Sequence, residues 1–134
     1  MMRVHGTCHC GAIAYEAEVD PTRPTVCHCI DCQTLSGAAL RASVPARVED
    51  FRLLRGTPKI YVKTAESGNR RAQGFCGDCG SPLYSADAVG AKVYMLRIGV
   101  MAERASLPPQ RQIWCESALP WTVDLLDVPS APKQ

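Results

Sequence analysis

The sequence has 134 residues, of which 46% are hydrophobic and 21% are charged, values typical of one soluble globular domain with a single core. No apolar run approaches the roughly 18 residues of a membrane-spanning helix, and a cysteine-rich turn comes before a signal peptide could form, so we expect a cytoplasmic protein. The formal net charge of +2 lacks the basic surplus that is typical of nucleic-acid-binding proteins.

Apolar and polar residues alternate in several short segments, which is the period of a half-buried β-strand. The predicted strands, in chain order, are residues 13–19, 40–44, 59–63, 93–98 and 113–116. Residues 93–98 are the most continuously apolar of these segments, which predicts a central strand. In the last strand Cys115 shares a face with Ile113, which predicts a buried apolar thiol.

Turn-forming pairs that contain glycine or proline separate these segments. Residues 30–36 form the one predicted helix, and Gly37 is expected to end it, because glycine readily adopts the left-handed conformation found at helix C-termini. We predict a single domain over residues 1–128 and a flexible tail over residues 129–134. The chain is therefore expected to be mainly β, with little helix.

Seven of the eight cysteines fall into three closely spaced groups, which are Cys8-x-Cys10, Cys27-x-Cys29-x-x-Cys32 and Cys76-x-x-Cys79. Cysteines one or two residues apart are poorly placed for unstrained disulfides with each other but well placed to share a metal ion. Disulfide scaffolds are typical of short secreted chains, and this chain is longer. We therefore predict metal binding, with redox-active thiols and disulfides as the alternatives.

The cysteines divide between two zinc ions, because structural zinc takes four protein ligands and catalytic zinc keeps three and an exchangeable position. The two doublets supply the four ligands of a closed structural site: Cys8, Cys10, Cys76 and Cys79. The triplet Cys27, Cys29 and Cys32 then forms an open second site, where we predict the chemistry. The alternative closes this site with a fourth protein ligand, for which the candidates are His5, His9, His28 and Cys115.

Three motifs follow one another along the chain. They are Gly6-Thr7-Cys8-His9-Cys10-Gly11-Ala12-Ile13, then Cys27-His28-Cys29-x-x-Cys32 with Ser36-Gly37, and then Gly74-Phe75-Cys76-Gly77-Asp78-Cys79-Gly80-Ser81. Together they resemble the motifs of the glutathione-dependent formaldehyde-activating enzyme family, which also includes centromere protein V. Residues 109–121 are similar to the C-terminal segment of that family. Cys115 is not required by the family pattern, so no role is carried over to it.

The resemblance implies a β-tent of small antiparallel sheets, stapled by a structural zinc at the cysteines of the first and third motifs. It also implies a second zinc on Cys27, Cys29 and Cys32, at which glutathione binds. The activity it implies is the condensation of formaldehyde with glutathione to S-hydroxymethylglutathione, which is classed as a carbon–sulfur lyase for the reverse direction. A similar small thiol and a related small aldehyde are included in this expectation.

Charge favours a small-molecule enzyme over a non-catalytic, zinc-stabilised binding or scaffold module, which is the alternative. Four thiolates on one zinc and three on the other take the formal charge of the chain from +2 to about −1, so we expect neither nucleic acid nor a membrane as partner. Glutathione carries two carboxylates, and the arginines that could bind them are Arg41, Arg47, Arg71, Arg97 and Arg111. The three-thiolate site is expected to lose zinc readily and to be partly occupied.

Overall fold

The computed structural model describes residues 1–122 and 124–134, and its architecture is mainly β, as the alternation of residues predicts. The strands are β1 Met2–Thr7, β2 Ala14–Val19, β3 Thr25–Cys27, β4 Arg41–Arg47, β5 Phe51–Arg55, β6 Lys59–Thr64, β7 Arg70–Phe75, β8 Pro82–Asp87, β9 Val93–Arg97 and β10 Arg111–Ile113. One α-helix, α1 Ile30–Ser36, follows β3. Val123, inside the predicted domain range 1–128, lies outside the described residues.

The strands form two sheets. The smaller has three strands in the order β1-β2-β5, and the larger has seven in the order β10-β3-β4-β9-β8-β7-β6. Neighbouring strands are antiparallel except for β10 and β3, which run parallel. The expectation of antiparallel sheets therefore fails at this pair, which a long connection joins and which is thus free to run in either direction.

The hydrophobic core lies between the two sheets. A row of aromatic rings crosses it. The ring of Phe51 on the small sheet lies with its centroid 5.0 Å from that of Tyr15 on the same sheet and 5.0 Å from that of Tyr94 on the large sheet. The ring of Tyr15 lies directly over Gly6, where any Cβ would collide with it. A glycine is therefore needed at this position on β1 for the Tyr15 ring of the neighbouring strand β2 to lie across it.

Two sequence predictions about local elements are confirmed. The apolar segment 93–98 contains β9, which occupies the middle of the large sheet, and its Leu96 is fully buried. The predicted helix spans Ile30–Ser36 and ends at Gly37, whose φ of 64° is left-handed and whose N–H donates to the carbonyl of Gln33 over 2.9 Å. The glycine thus ends the helix as expected.

The strand predicted for residues 113–116 is confirmed at Ile113 and is wrong for residues 114–116. Strand β10 ends at Ile113, because Trp114 adopts a left-handed backbone conformation with φ of 57° and residues 115–117 form a 3-10 turn. The alternation of faces stops there, so Cys115 is exposed and is not the buried thiol that its spacing from Ile113 suggested. Five strands, β1, β3, β5, β7 and β8, were not among the predicted segments.

The large sheet has one apolar and one polar face. Its cross-strand register puts Val44 beside Leu96 on the face toward the core. On the opposite face the register aligns polar side chains from successive strands, with Cys27 beside Arg41, Ser43 beside Arg97, and Ser85 beside Gln73. Helix α1 and the segment after β10 border this polar face, which positions the site described below. No helix in the described part of the chain has the length and apolar composition needed to cross a membrane.

Candidate metal centres and the adjoining cavity

The two cysteine doublets meet in one cluster although about 65 residues separate them. The Sγ atoms of Cys8, Cys10, Cys76 and Cys79 all lie within 4.8 Å of one another. The sulfur of Cys10 is 3.7 Å from that of Cys8 and 3.7 Å from that of Cys76. These separations match the edge of about 3.8 Å of a tetrahedron with zinc–sulfur bonds of about 2.3 Å, and they are far longer than a disulfide bond of about 2.05 Å.

Matching turns present the two doublets. Cys10 is followed by Gly11 with φ of 81°, and Cys79 is followed by Gly80 with φ of 78°. Each glycine donates its N–H to the carbonyl of the first cysteine in its doublet, over 3.0 Å and 2.8 Å. Left-handed glycines make these tight turns possible without strain, and the turns bring both thiols of each doublet to one side.

The surroundings act differently on the four thiols of the first cluster. The Ser81 hydroxyl accepts a hydrogen bond from the N–H of His9 and lies 3.2 Å from Sγ of Cys79, so its own proton can point to that sulfur. This contact and hydrogen bonds from the backbone of Cys10 and Ser81 lower the pKa of Cys79 to about 5. For Cys10, a backbone hydrogen bond from Ala12 lowers the pKa, but lost hydration and the neighbouring thiols together raise it to about 12. Four clustered thiolates therefore need a cation.

The cysteine triplet forms the second cluster. Cys27 ends β3, Cys29 caps the N-terminus of α1, and Cys32 lies in the first turn of that helix. Their Sγ atoms lie within 4.8 Å of one another, and the N–H of Cys32 donates to Sγ of Cys29 over 3.2 Å. Hydrogen bonding between them lowers the pKa of Cys27 and raises the pKa of Cys32. Three thiols in this arrangement fit three corners of a zinc tetrahedron.

The candidate fourth ligands lie elsewhere. Among the described residues, no histidine or carboxylate joins either cysteine group. His5 contacts Glu103 on the surface with Nδ1 and Oε1 2.7 Å apart, and His9 is exposed. His28 is buried, and its Nε2 lies 2.9 Å from Oε1 of Gln112. Cys115 is exposed and also outside both groups.

The second cluster opens into a cavity of about 510 Å³ on the polar face of the large sheet. Cys27, Cys29 and Cys32 line it together with four cationic side chains, which are Arg41, Lys63, Arg71 and Arg97. Three of the five arginines considered from the sequence therefore face this cavity. Arg47 and Arg111 do not line it, and Arg47 is paired at the surface with Asp50 over 2.7 Å.

The four cations differ in their partners. Lys63 pairs with Asp31 over 2.5 Å, and Arg71 pairs with Asp87 over 2.8 Å. Within the described part of the chain, Arg41 and Arg97 form no ion pair with a carboxylate. These two arginines are thus available for an anion that enters the cavity.

Arg97 is only 5% exposed and is held by neutral groups. Its Nη1 donates to the hydroxyl of Ser43 over 2.6 Å, and its Nη2 donates to Oε1 of Gln73 over 3.3 Å. Nη1 of Arg41 donates to the same Gln73 oxygen over 3.1 Å. Burial and the positive charge of Arg41 lower the pKa of Arg97 to about 9. A buried guanidinium without a counter-charge is costly, and an anionic ligand would remove that cost.

Sequence reasoning missed several residues that line this cavity, among them Ser43, Lys63, Gln73 and Trp114. The sequence signal for some of them is the alternation of polar and apolar residues in β4 and β7. Arg41 precedes Ala42 and Arg71 precedes Ala72, so each arginine lies on the opposite face of its strand to the alanine. The polar side of such a strand is normally taken as solvent-exposed. Here it is covered, because β4 lies in the interior of the large sheet and α1 packs over it.

Comparisons with known proteins agree with this architecture. No curated protein matches the chain. Among solved structures, the chain is similar to a Rhodobacter sphaeroides protein determined by crystallography, with 22% identity and a TM-score of 0.62 over 83% of this chain and 99% of that one. At that identity the likeness shows the fold alone. The sequence pattern of the glutathione-dependent formaldehyde-activating enzymes matches residues 3–117. The chain therefore belongs to the glutathione-dependent formaldehyde-activating enzyme family.

Proposed function

We propose that this protein is a zinc-dependent enzyme of the carbon–sulfur lyase type, which forms or cleaves the S-hydroxymethyl adduct of a small thiol and a small aldehyde. Glutathione and formaldehyde are the proposed pair, in keeping with the family to which the chain belongs. Cys8, Cys10, Cys76 and Cys79 are the proposed ligands of a structural zinc, and Cys27, Cys29 and Cys32 those of the reactive one. Residues 1–128 are the proposed domain, with 129–134 as a tail.

The observation that carries this proposal is the opening of the cysteine triplet into a cation-lined cavity of about 510 Å³. A volume of this order suits a small-molecule ligand. The structural cluster, by contrast, has four thiols in reach of one another and fills a tetrahedron by itself. The two clusters therefore differ in the way that structural and reactive zinc sites differ.

The residues around the triplet suit an anionic thiol. Zinc held by these three thiolates would offer one exchangeable position and lower the pKa of a thiol that enters the cavity. Arg41 and Arg97 would bind a carboxylate of that thiol, because no carboxylate in the described part of the chain pairs with them. Glutathione has two carboxylates and one ammonium group, so a pocket with both cations and acids, such as Asp31, complements it.

In this reaction the protein has to position the thiol and the aldehyde and to ionise the thiol. In the forward direction the thiolate sulfur forms a bond to the aldehyde carbon, the carbonyl double bond becomes a single bond, and the proton lost by the thiol ends on the oxygen. No oxidant or reductant is consumed. By holding the thiol at both its sulfur and its carboxylate, the cavity removes much of the entropic cost of the encounter.

The test is optical titration of cobalt-substituted protein. Glutathione should change the absorption bands of the metal, because its sulfur enters the open position. S-methylglutathione has the same charges but cannot supply a thiolate, so it should leave the bands nearly unchanged. If the spectrum is indifferent to glutathione, a protein residue closes the site, and a non-catalytic scaffold becomes the better interpretation.

A further inference from the structure

A second cavity, of about 520 Å³, adjoins the first. Arg41, Gln73 and Arg97 line both cavities, whereas Cys27, Cys29 and Cys32 line only the first. The three shared side chains therefore mark the boundary between the two spaces. The second cavity lies on the side away from the cysteine triplet, toward β6 and the beginning of β8.

The lining of the second cavity is mostly apolar and aromatic, and its charged groups are all cationic. Four side chains supply the apolar surface: Leu35, Tyr61, Phe75 and Pro82. The cross-strand register turns the side chains of Ile60 and Tyr84 to the opposite, core-facing side of the sheet. The charged lining residues are Lys59, Arg41 and Arg97, and no aspartate or glutamate of residues 1–122 and 124–134 lines the space. A ligand that complements this surface has an apolar body and a negative charge.

The polar boundary contains donors that lack partners. Gln73 is 7% exposed and Arg97 is 5% exposed. The Oε1 atom of Gln73 accepts from both arginines, but neither Nε2 of Gln73 nor Nε of Arg97 has an acceptor among the residues that the structure describes. Buried donors are rarely left unpaired. Two unpaired donors beside two arginines without carboxylates indicate a place for a ligand carboxylate, which would accept from all of them.

We propose that the second cavity is a binding site for a small aromatic carboxylic acid, with the carboxylate at Arg41, Gln73 and Arg97 and the ring among the apolar side chains. This site uses no metal and no thiol, so it does not depend on the reaction proposed above. Arg41, Gln73 and Arg97 also line the first cavity. A bound acid therefore competes with an anionic thiol for Arg41 and Arg97.

The experiment is calorimetric titration of the zinc-loaded full chain with three probes. 3-Phenylpropionate carries both the ring and the carboxylate, acetate carries only the carboxylate, and 3-phenylpropanol carries only the ring. We expect 3-phenylpropionate to bind with one-to-one stoichiometry and at least about tenfold more tightly than either of the others, because burial of a ring contributes more than a tenfold gain. Absence of binding, or equal affinity for either partial probe, overturns the proposal.

Matched variants locate the binding. Tyr61 and Ile60 are neighbours on β6 and are 54% and 47% exposed, but their side chains point to opposite faces of the sheet, and only Tyr61 shares the face of Gln73. Tyr61→Ser should weaken 3-phenylpropionate about fivefold and leave acetate unchanged, whereas Ile60→Ser should change neither. Arg41→Gln should weaken both acids. If Tyr61→Ser has no larger effect than Ile60→Ser, the ring binds elsewhere and the proposal fails.

Competition separates this proposal from the thiol reaction. With cobalt at the triplet, 3-phenylpropionate should not change the bands by itself, since it has no sulfur, but it should raise the glutathione concentration needed for the change. Binding of the acid to a protein whose spectrum ignores glutathione would refute the thiol reaction and leave the second site standing. A glutathione response that is unaffected by saturating acid would refute the shared carboxylate site.

Discussion

Arg97 on β9 donates to Gln73 on β7 over 3.3 Å, and the two side chains meet across the intervening strand β8. The contact fixes a buried guanidinium with a neutral amide where a carboxylate is the usual partner. Among the described residues, no carboxylate therefore pairs with its positive charge. This property makes the polar face of the large sheet suitable for anions, and the first prediction follows from it.

Arg41→Gln should weaken the binding of glutathione about tenfold or more, because it removes a charged hydrogen-bond donor at the proposed carboxylate position. Binding of 2-mercaptoethanol, which has a thiol but no carboxylate, should be unchanged. The measurement is titration of the cobalt bands with both thiols. Arg47→Gln is the matched control, since Arg47 pairs with Asp50 away from the cavity. Equal loss for both thiols would contradict a role in carboxylate recognition.

Cys76→Ser should lower the free energy of unfolding by about 4 kcal/mol or more, because a structural zinc contributes its binding energy to folding. Zinc analysis and thermal melting measure the effect, and a chelator that strips this zinc should unfold the wild-type chain. The control is Cys115→Ser, at an exposed cysteine outside both groups, which should stay within about 0.5 kcal/mol of wild type. A Cys76→Ser variant with full zinc content and normal melting would show that the doublets do not share a metal.

Cys29→Ser should remove one zinc and the response to glutathione while the fold is retained. Serine is a good N-cap, so it can accept the hydrogen bond from the N–H of Cys32 that Cys29 accepts in wild type. The helix is therefore preserved, and the loss reports on the metal alone. Metal analysis and melting temperature give the answer together. Destabilisation as large as that of Cys76→Ser would indicate two structural sites and a scaffold.

Gly74→Ala should destabilise the protein by about 1–3 kcal/mol, because the added methyl group meets the ring of Tyr84, which the aromatic core cannot easily release. Denaturant unfolding measures the change. Gly99→Ala is the control, since a Cβ at Gly99 meets nothing within 4 Å, and it should be nearly neutral. If the two variants unfold alike, the packing of Tyr84 on β7 does not limit stability.

Several features could be predicted from the sequence because they depend on neighbours along the chain. Cysteines one or two residues apart present their thiols together in any compact turn, so the three groups were recognisable by spacing alone. The helix and its end at Gly37 depend on local propensity and on one left-handed glycine. The apolar run at 93–98 indicated the central strand β9 because only a strand covered on both sides tolerates such a composition.

Local pattern failed where a neighbouring element changes the environment of a strand. The apolar residues Ile60 and Val62 alternate with lysines as in a half-buried strand, yet they are partly exposed because β6 is the edge of its sheet. At Cys115 a single left-handed residue, Trp114, ended the alternation. Neither event changes the local sequence pattern, so neither could be foreseen from it.

The sequence by itself determined which cysteines act together within each motif and that the chain is mainly β. Ligand counting also predicted that the two doublets share one site, and the structure brings their sulfurs within 4.8 Å of one another although about 65 residues separate them. Only the tertiary structure decided what surrounds the cysteine triplet. It also selected Arg41, Arg71 and Arg97 from the five candidate arginines as the ones that line the cavity. These three residues lie on β4, β7 and β9, and they share a face because of strand order and register. Register is set by packing of the whole sheet against the core, and a slip of one residue would turn each of them to the opposite face.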